Sequence, residues 1–433
     1  IELVRETANT NGVGYSSSTH ADKIYGAGLL DLGAAVVTYI PRQDGARMAT
    51  YSANSVHSMP ISLDGADIII SSTMQEAVQK ALPESLTVFD RYNRPFAIPT
   101  TKFVHVTHGD YNTFKNEVYQ IAMPQKMQTL KEGNFSFSFA ESMNKKNNGR
   151  GYFGFSYQNG KHKSSFYFSE NTRYKSADTT ANELKNPFMD LNNAYGVRYD
   201  YDFGQKTGLM FEAAGGQNGL YDGDRDFNDA TFKKQAYTLN MGLKLHEGQK
   251  YAITLSSGML HEQKALLGTN GNGAFAPNGG NTYMAGIHAS WKPLNNLTLS
   301  GSYYRGYTAA QSFASDLLQT SKIESSSFAI EADYQTDKQT HAGLRFSSPL
   351  RVENGRLKIN FPSGRDNYSD TVYHQTYAAG LKPKKREYKL ATYFNREISD
   401  KISIRSEAGI RFNPEHQNAA NDYRVLIGLS WTF

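Results

Sequence analysis

The chain has 433 residues, of which 39% are hydrophobic and 12% aromatic, with 28 Tyr and 24 Phe against 2 Trp. Cysteine is absent, which excludes disulfides and thiolate metal sites, and no stretch holds the roughly 18 apolar residues that a transmembrane helix requires. The net charge of +5 is spread along the chain without a long basic run, so a nucleic-acid partner is not expected.

The first 39 residues carry a helix and a glycine-containing packing motif. The opening stretch, "IELVRETANTNGVG", predicts a helix that ends in Asn and Gly, and it has the character of an internal segment of a longer, processed protein. A polar loop and then "IYGAGLLDLGAAVV" follow. The order helix, loop, Y-G-A-G-L-L-D-L-x-A-A-V resembles the C-terminal end of a subtilisin-like serine protease domain over residues 1–39. The alternative is an unrelated helix-turn-helix packing motif.

This resemblance brings no catalytic residue with it. The aspartate, H-G-T-H and G-T-S-M-A-x-P motifs of the family belong upstream and do not occur in this chain. "SSTMQEA" (71–77) lacks the Gly and the Pro of the nucleophile motif, and it begins a stretch with helical spacing that is typical of packing. The chain is therefore expected to hold no catalytic, cofactor or metal site, although the full precursor would be a subtilisin-like serine endopeptidase.

Residues 40–109 have the pattern of a small α+β connector. "SLDGADIII" predicts a turn and an apolar strand, "MQEAVQKAL" a short helix, and "SLTVFDRYNRPFAIP" two strands around a turn. Residues 110–132 are compatible with a helix as far as Pro124. They form either a surface helix on the connector or a segment that threads the pore of a barrel.

From about Gly133 onward the chain consists of segments of roughly ten residues in which apolar and polar side chains alternate. "YGVRYDYDF", "YMAGIHASWK" and "KISIRSEAGIRF" each place aromatic and aliphatic side chains on one face and charged or polar ones on the other. A lipid-facing exterior and a hydrated lumen require this pattern, so residues 133–433 are predicted to form a transmembrane antiparallel β-barrel. The side chains predicted to face the lumen are Arg198, Asp200, Asp202, Glu331, Asp333, Arg405 and Glu407.

The connections between these segments alternate in length. Short turns are predicted near 158–161, 204–206, 246–249, 292–296, 336–339 and 399–400, and long polar loops near 143–150, 173–192, 217–232, 262–280, 306–324, 351–385 and 413–421. Tight periplasmic turns and long outer loops are typical of outer-membrane barrels, and this alternation counts to fourteen strands. The glycine-rich stretch 268–281 is expected to be a flexible external loop. A large soluble β-sandwich or a propeller is the alternative, but a propeller's fixed repeat is missing.

The chain ends in "DYRVLIGLSWTF", a strand with an apolar or aromatic side chain at every second position. These positions are Tyr423, Val425, Ile427, Leu429, Trp431 and Phe433. The stretch resembles the C-terminal signal of bacterial outer-membrane proteins, in which the barrel-assembly machinery reads the last strand, which then pairs with the first. The alternative is a half-buried edge strand of a soluble protein.

The order of protease remnant, connector, pore segment and C-terminal barrel resembles a subtilisin-type autotransporter of the type V secretion class. The P-L-R-V-x-x-G piece at 349–355 and the N-P-x-H loop at 413–416 also resemble barrels that follow subtilase passengers. Barrels of that family usually have twelve strands, so about 12–14 are expected here.

The resemblance implies an outer-membrane translocator of a Gram-negative bacterium that exports or anchors an N-terminal protease passenger at the cell surface. The implied partners are outer-membrane lipid, the barrel-assembly machinery, the chain's own passenger and other surface proteins held by the anchor. The alternative function is an outer-membrane porin or solute channel with an N-terminal plug domain.

Overall fold

The structure is a computed structural model with side chains. It describes residues 47–50, 59–62, 68–71, 74, 78–79, 82–89, 95–106, 128–141, 151–170, 173–174, 184, 186–189, 191–204, 207–218, 234–247, 250–313, 317–337, 339–365, 372–399 and 402–431. The predicted protease remnant at 1–39 lies outside these residues, as do residues 110–127 of the predicted segment 110–132.

The described part of residues 47–106, called here the N-terminal module, contains short strands and two helical turns. The strands are β1 (Arg47–Thr50), β2 (Met59–Ser62), β3 (Ile68–Ile70), β4 (Ser85–Phe89), β5 (Pro95–Pro99) and β6 (Val104–Val106). Strands β4 and β5 pair antiparallel, which confirms the two strands predicted within this stretch. The amide of Val78 donates to the Met74 carbonyl, and that of Leu82 to the Val78 carbonyl, and these two bonds have the i to i−4 spacing of the predicted helix. A 3-10 turn spans Thr100–Lys102.

Residues 128–263 supply the first strands of a large antiparallel sheet. They are β7 (Gln128–Glu132), β8 (Phe135–Glu141), β9 (Gly151–Asn159), β10 (His162–Glu170), β11 (Arg173–Tyr174), β12 (Leu191–Asp202), β13 (Gly208–Asn218), β14 (Gln235–Glu247) and β15 (Tyr251–Gln263).

Residues 265–431 complete the sheet and add short strands in its connections. The strands are β16 (Ala265–Leu266), β17 (Thr269–Gly271), β18 (Pro277–Leu294), β19 (Leu297–Phe313), β20 (Leu318–Thr320), β21 (Ile323–Asp337), β22 (Thr340–Asn354), β23 (Arg356–Arg365), β24 (Val372–Gly380), β25 (Tyr388–Ser399), β26 (Ile402–Phe412) and β27 (Asp422–Trp431). Further 3-10 turns span Pro187–Met189, Gly273–Phe275 and Pro414–His416.

The large sheet has 16 strands, which follow one another from β7 at one edge to β27 at the other, while β11 pairs only with β12. The edge strand β7 is one strand beyond the predicted fourteen. It lies at the end of the segment 110–132, of which the described residues 128–132 are extended and paired with β8. Within the described residues, β27 pairs with β26.

The two ends of the sheet differ in their connections. At the turn end, strands are joined by tight turns, and Gly133 and Gly160 occupy two of them with φ of 56° and 57°, a conformation that favours glycine. At the loop end, the long connections carry strands β16, β17, β20, β23 and β24. Stretch 268–281 was expected to be a flexible loop, but it forms part of β17, a 3-10 turn and the start of the long strand β18.

The faces of the large sheet are inverted relative to a water-soluble protein. Large apolar side chains project from one face and stay exposed, among them Phe137, Phe166, Val197, Leu239, Met241, Tyr283, Ile287, Trp291, Ile330, Leu344, Leu390 and Ile427. The opposite face buries polar side chains, among them Asp200, Glu212, Thr238, Asn240, Thr282, Ser302, Glu331 and Ser347. A sheet with this distribution is stable when hydrocarbon, rather than water, covers its outer face.

The polar face lies on the inside of a strongly curved sheet. The connection between β10 and β12 reaches lumen-side residues of strands far along the sheet, because Tyr304 Oη lies 3.4 Å from the Leu184 carbonyl oxygen and the Phe188 ring lies against Gly306. Strands β13, β14, β15 and β18 separate β12 from β19 in the strand order, so the sheet must wrap around to permit this contact.

On the inner wall, tyrosine rings lie over glycines of the neighbouring strands. Tyr167 covers Gly196, its cross-strand partner on β12, and Tyr304 covers Gly286, its partner on β18. A Cβ on either glycine would collide with the ring. The fold class predicted from the sequence, a mainly β antiparallel sheet with the faces of an outer-membrane barrel, is confirmed, whereas the domain bounds stay predictions. Within the described ranges, no helix combines the length and the apolar content needed to cross a bilayer.

Strand β18 offers a matched test of the two faces. Its outward side chains Tyr283 and Trp291 bracket Ile287, and two aromatic girdles about 25 Å apart are typical of a membrane barrel. We therefore expect Ile287→Arg to lower the free energy of unfolding by about 2–4 kcal/mol, since the charge would sit near the bilayer midplane. His288→Arg, the adjacent position on the lumen face, should cost much less. Unfolding titrations in lipid vesicles measure both, and equal costs would contradict the assigned faces.

Candidate functional site

The inner wall carries ion pairs both within a strand and between strands. Arg198 Nε lies 2.8 Å from Asp200 Oδ2 on β12, and Lys244 Nζ of β14 lies 3.6 Å from Asp200 Oδ1. Asp200 is 6% exposed, so it is a buried, paired charge rather than one freely screened by water. Asp202 lies on the same strand face, near the turn end, and is exposed.

A second group joins three strands of the same wall. Arg345 Nε on β22 lies 2.8 Å from Glu331 Oε2 on β21, and Tyr393 Oη on β25, which can donate its one proton to either carboxylate, lies 2.5 Å from Asp333 Oδ2 and 3.0 Å from Glu331 Oε1. His341 Nδ1 lies 3.4 Å from Asp333 Oδ1. Alternating cations and anions of this kind make a charge-balanced lining.

The remaining residues predicted to face the lumen lie on β26. Glu407 pairs with Arg424 of β27. Arg405 shares the face of Glu407, two positions away on the strand, and is half-buried.

The C-terminal strand presents its predicted apolar stripe on the outer face. The exposed fractions of Tyr423, Val425, Ile427 and Leu429 are 75%, 70%, 78% and 65%. These values exceed those of outward side chains elsewhere because β27 is an edge strand of the described sheet. Trp431 ends the strand, and Phe433 lies outside the described residues. Recognition of this stripe by the assembly machinery stays a prediction.

The described residues 184 and 186–189 form a contact across the lumen and are called here the inward segment. Phe188 is fully buried, and Leu184 packs with Ala329 of β21. Asn186 Nδ2 lies 3.3 Å from Met284 Sδ, a lumen-side atom of β18. The segment therefore narrows the lumen toward the loop end. Sequence reasoning placed these residues in a long outer loop, and only the apolar pair in "NPFMD" hints that part of the loop is buried.

Weakening the packing of the inward segment should expose the part of the inner wall that the segment covers. Phe188→Ala removes a buried ring, at a cost of about 3–5 kcal/mol for a core site. In a chain that carries Ala329→Cys, we expect this change to raise the rate at which a small thiol reagent modifies the cysteine. Phe211→Ala, which removes an outward ring, is the matched control and should leave the rate unchanged. An unchanged rate in the Phe188 variant would mean that the segment does not cover this wall.

The N-terminal module is joined to the loop end by backbone pairing. Strand β17, in the connection between β15 and β18, pairs antiparallel with β3, which in turn pairs parallel with β6. The Ser71 amide donates to Thr269 Oγ1 at 3.2 Å, and the two side-chain hydroxyls lie 3.1 Å apart. The module thereby adds its strands to a sheet formed by a barrel connection.

An apolar core fills the space beneath this junction. Phe103 of the module and Phe275 of the barrel connection are both buried, with ring centroids 6.1 Å apart. Buried module side chains in this cluster are Ile68, Ile70, Met74 and Val78, and buried barrel-side members include Leu266, Leu318, Ile323, Val352, Leu357, Ile359 and Leu381. Each fully buried side chain of this size contributes about 1.5–3 kcal/mol, so the module is an integral cap on the loop end rather than a loose appendage.

The P-L-R-V motif explains how the next outer segment is held. Arg351 is 8% exposed, and its guanidinium donates to the Pro383 carbonyl at 2.7 Å and to the Lys385 carbonyl at 3.1 Å. It also lies 2.7 Å from Glu353 Oε2. One arginine thus satisfies two backbone carbonyls and one carboxylate, which a lysine could not do with the same geometry.

The N-P-x-H loop holds the same segment from the other side. His416 is 2% exposed; its Nδ1 accepts from the Glu387 amide at 2.9 Å, and Nε2 donates to the Leu350 carbonyl at 2.9 Å. Asn413 Nδ2 donates to the Arg386 carbonyl at 3.2 Å. The two motifs that the sequence singled out therefore meet in space and clamp residues 383–387 between them, which sequence reasoning did not predict.

This geometry requires a neutral imidazole. Burial lowers the pKa of His416 below its usual range, although the nearby Glu387 carboxylate partly offsets the effect. Burial alone would raise the pKa of Glu387, but the charges of Lys389 and Arg411 outweigh it and hold that pKa below its usual range. A proton on His416 Nδ1 would face the Glu387 N–H and break the clamp.

The clamp should therefore weaken as the pH falls. The unfolded histidine takes up a proton below about pH 6.5 whereas the folded one does not, so stability is present above that pH and is lost below it, by up to about 1.4 kcal/mol per pH unit. We expect amide hydrogen exchange across 383–387 to accelerate between pH 7.5 and 5.5 after correction for intrinsic rates. The His416→Gln variant should lack this acceleration. Identical pH profiles for the two proteins would contradict the assignment.

Comparisons with known proteins give only distant structural likenesses. No protein-family model and no curated protein matches the chain. Among solved structures, OmpT of Vibrio cholerae is 9% identical and covers 69% of this chain and 97% of that one, with a TM-score of 0.36. A porin is 10% identical over 69% and 92% (TM-score 0.33), and the NanC porin is 11% identical over 55% and 94% (TM-score 0.26). At these scores the likenesses carry no argument about this chain's activity.

Proposed function

We propose that this chain is the outer-membrane translocator of a subtilisin-type autotransporter, which inserts in the membrane and exports or anchors an N-terminal protease passenger at the cell surface. The single observation that carries the proposal is the position of the N-terminal module relative to the last strand. The N-terminal module packs on the loop end through β3 and β17, whereas β27 finishes at the turn end, where Trp431 lies opposite Ile402.

Because the N-terminal module and the last residues of β27 lie at opposite ends of the barrel, the chain between them crosses the membrane an odd number of times. A barrel that begins and ends on one side has an even number of strands, and the long loops of such barrels face outside. With that orientation, the N-terminal module lies outside the cell and the C-terminus lies on the periplasmic side. Everything upstream of the module would then have to cross the membrane, which is the task of a translocator.

The mechanism is physical rather than chemical. Polar side chains of the inner wall that are exposed or half-buried, such as Asp202, Arg405 and Glu407, would line a passage for an unfolded passenger, and residues 107–127 connect the outer module to β7, the barrel's first edge strand. Peptide hydrolysis would belong to residues upstream of this chain, in the precursor. After export, the cap holds the N-terminal part at the surface, where the barrel would also anchor other surface proteins.

Assembly depends on the outer face and the last strand. Outer-membrane lipid covers the exposed apolar side chains, and the barrel-assembly machinery would read the stripe that ends at Phe433. The stripe's unusually exposed side chains on an edge strand support this role, because both its backbone and its apolar face are open to a partner.

A porin or solute channel with an N-terminal plug is the second candidate. The observation that favours it is the polar, charge-balanced inner wall narrowed by the inward segment. Such a wall suits selective passage of small solutes as well as passage of a chain. The outer position of the module gives a direct way to separate the two candidates.

Sidedness decides between them. We expect cysteines at Glu84, an exposed residue of the module, and at Asn418, an exposed residue of a long loop, to react with an impermeant maleimide on intact cells. Cysteine at Asn159, exposed at a tight turn, is the matched control and should react only after lysis. If the cysteine at Glu84 reacts only after lysis, as the cysteine at Asn159 should, and not on intact cells like the cysteine at Asn418, the translocator is excluded and the plugged channel remains.

A further inference from the structure

The segment clamped by Arg351, Asn413 and His416 presents a cluster of cations. Residues 382–386, "KPKKR", are called here the lysine segment. Lys382, Lys384 and Lys385 are exposed, while the backbone between them is fixed by the buried Arg351. The fold therefore immobilises the backbone of this segment and leaves its lysine side chains facing outward, which lowers the entropy cost of binding an anion.

The lysine segment lies beside the upper edge of the lipid-facing band. Phe328, Phe346 and Tyr388, called here the aromatic trio, pack together on the outer face, with Phe346 and Tyr388 stacked at 5.7 Å and 10°. Aromatic side chains concentrate at the level of lipid headgroups. Arg386 connects the two groups, because its guanidinium carbon lies 5.7 Å from the Phe328 ring centroid.

The boundary of the apolar band is visible along β22. Phe346 is 37% exposed, but Ser348, the next residue on the same face, is 1% exposed. Three residues further on, Arg351 holds the lysine segment. The outer face of β22 therefore faces lipid at Phe346 and is covered by the lysine segment a few residues later. This boundary lies at the height of the aromatic trio.

We propose that the lysine segment is a binding site for the phosphate groups of lipids in the outer leaflet, with the aromatic trio contacting the adjoining acyl chains. Lysine is suited to phosphate as a compact charge, and Arg386 adds a planar donor above the trio. The carboxylate of Glu353 pairs with Arg351 and Arg386 and also lies 3.9 Å from Lys382 Nζ, so one carboxylate faces several cations here and the cluster stays positive. The lipid would fix the rotation and depth of the barrel at this point. The inference rests on the outer orientation of the loop end, which the cysteine labelling tests separately.

The test uses the full chain folded in detergent and measures lipid retention by native mass spectrometry and by titration. Phosphatidic acid, whose headgroup is a phosphomonoester, is the probe, and phosphatidylcholine and inorganic phosphate are the comparisons. We expect phosphatidic acid to bind with preference over phosphatidylcholine, and inorganic phosphate to compete weakly.

The variant K384Q/K385Q keeps the backbone carbonyls that Arg351 binds. It should weaken the binding of phosphatidic acid by about tenfold or more, given the usual contribution of a basic residue near an anionic surface. K322Q/K358Q removes two exposed lysines elsewhere at the loop end and should change the affinity less than about twofold. Circular dichroism in the same detergent establishes that both variants are folded.

If the two variants lose the same affinity for phosphatidic acid, net charge rather than a specific site explains the binding, and the proposed site is wrong. Inorganic phosphate that competes as well as the lipid would overturn the lipid assignment. Equal retention of phosphatidic acid and phosphatidylcholine by the unaltered chain would overturn the proposal altogether. None of these results depends on whether a passenger is exported. The lipid-binding proposal and the translocator proposal can therefore fail separately.

Discussion

The absence of water inside a bilayer is the constraint on which the rest of this structure depends. Every backbone N–H and C=O at that depth must find a partner within the protein, which a sheet achieves through its strand pairing. The large sheet meets this demand from β8 to β26, where each strand has a neighbour on both sides. The same constraint inverts the faces: apolar side chains such as Val197 and Leu239 stay exposed, while Asp200 and Glu212 turn inward.

Charges on the inner wall follow from this inversion. A carboxylate that turns away from lipid but is only slightly hydrated needs a nearby cation, because an unpaired buried charge is costly. Arg198 and Arg345 supply these cations from the same or the neighbouring strand. Because these pairs join adjacent positions, the positive and negative charges of the inner wall balance locally, without links across the lumen. Within the described residues, the inward segment makes the contact between distant parts of the wall.

The loop end is stabilised in a different way, because water and protein rather than lipid surround it. There the long strands β19, β21 and β22 continue beyond the lipid-facing band and build an apolar core with the N-terminal module. Buried polar groups are satisfied by specific side chains instead of by regular pairing alone. Glu262, fully buried, accepts from the Leu267 and Gly268 amides, and Arg351 and His416 hold residues 383–387. The cap is therefore a folded domain made jointly by connector and loops.

The sequence by itself determined the membrane-spanning architecture. A period of two with apolar and charged faces depends only on neighbouring residues, so "YGVRYDYDF" and the final strand reveal which side chains point outward, and turn lengths separate the two ends of the barrel. Tertiary structure alone decided the rest. The glycine-rich stretch 268–281 has the composition of a flexible loop but becomes buried, because β17 pairs with β3, almost 200 residues away in the chain. Likewise, P-L-R-V and N-P-x-H are visible as motifs, yet their meeting on residues 383–387 arises from hydrogen bonds between chain segments that no local pattern encodes.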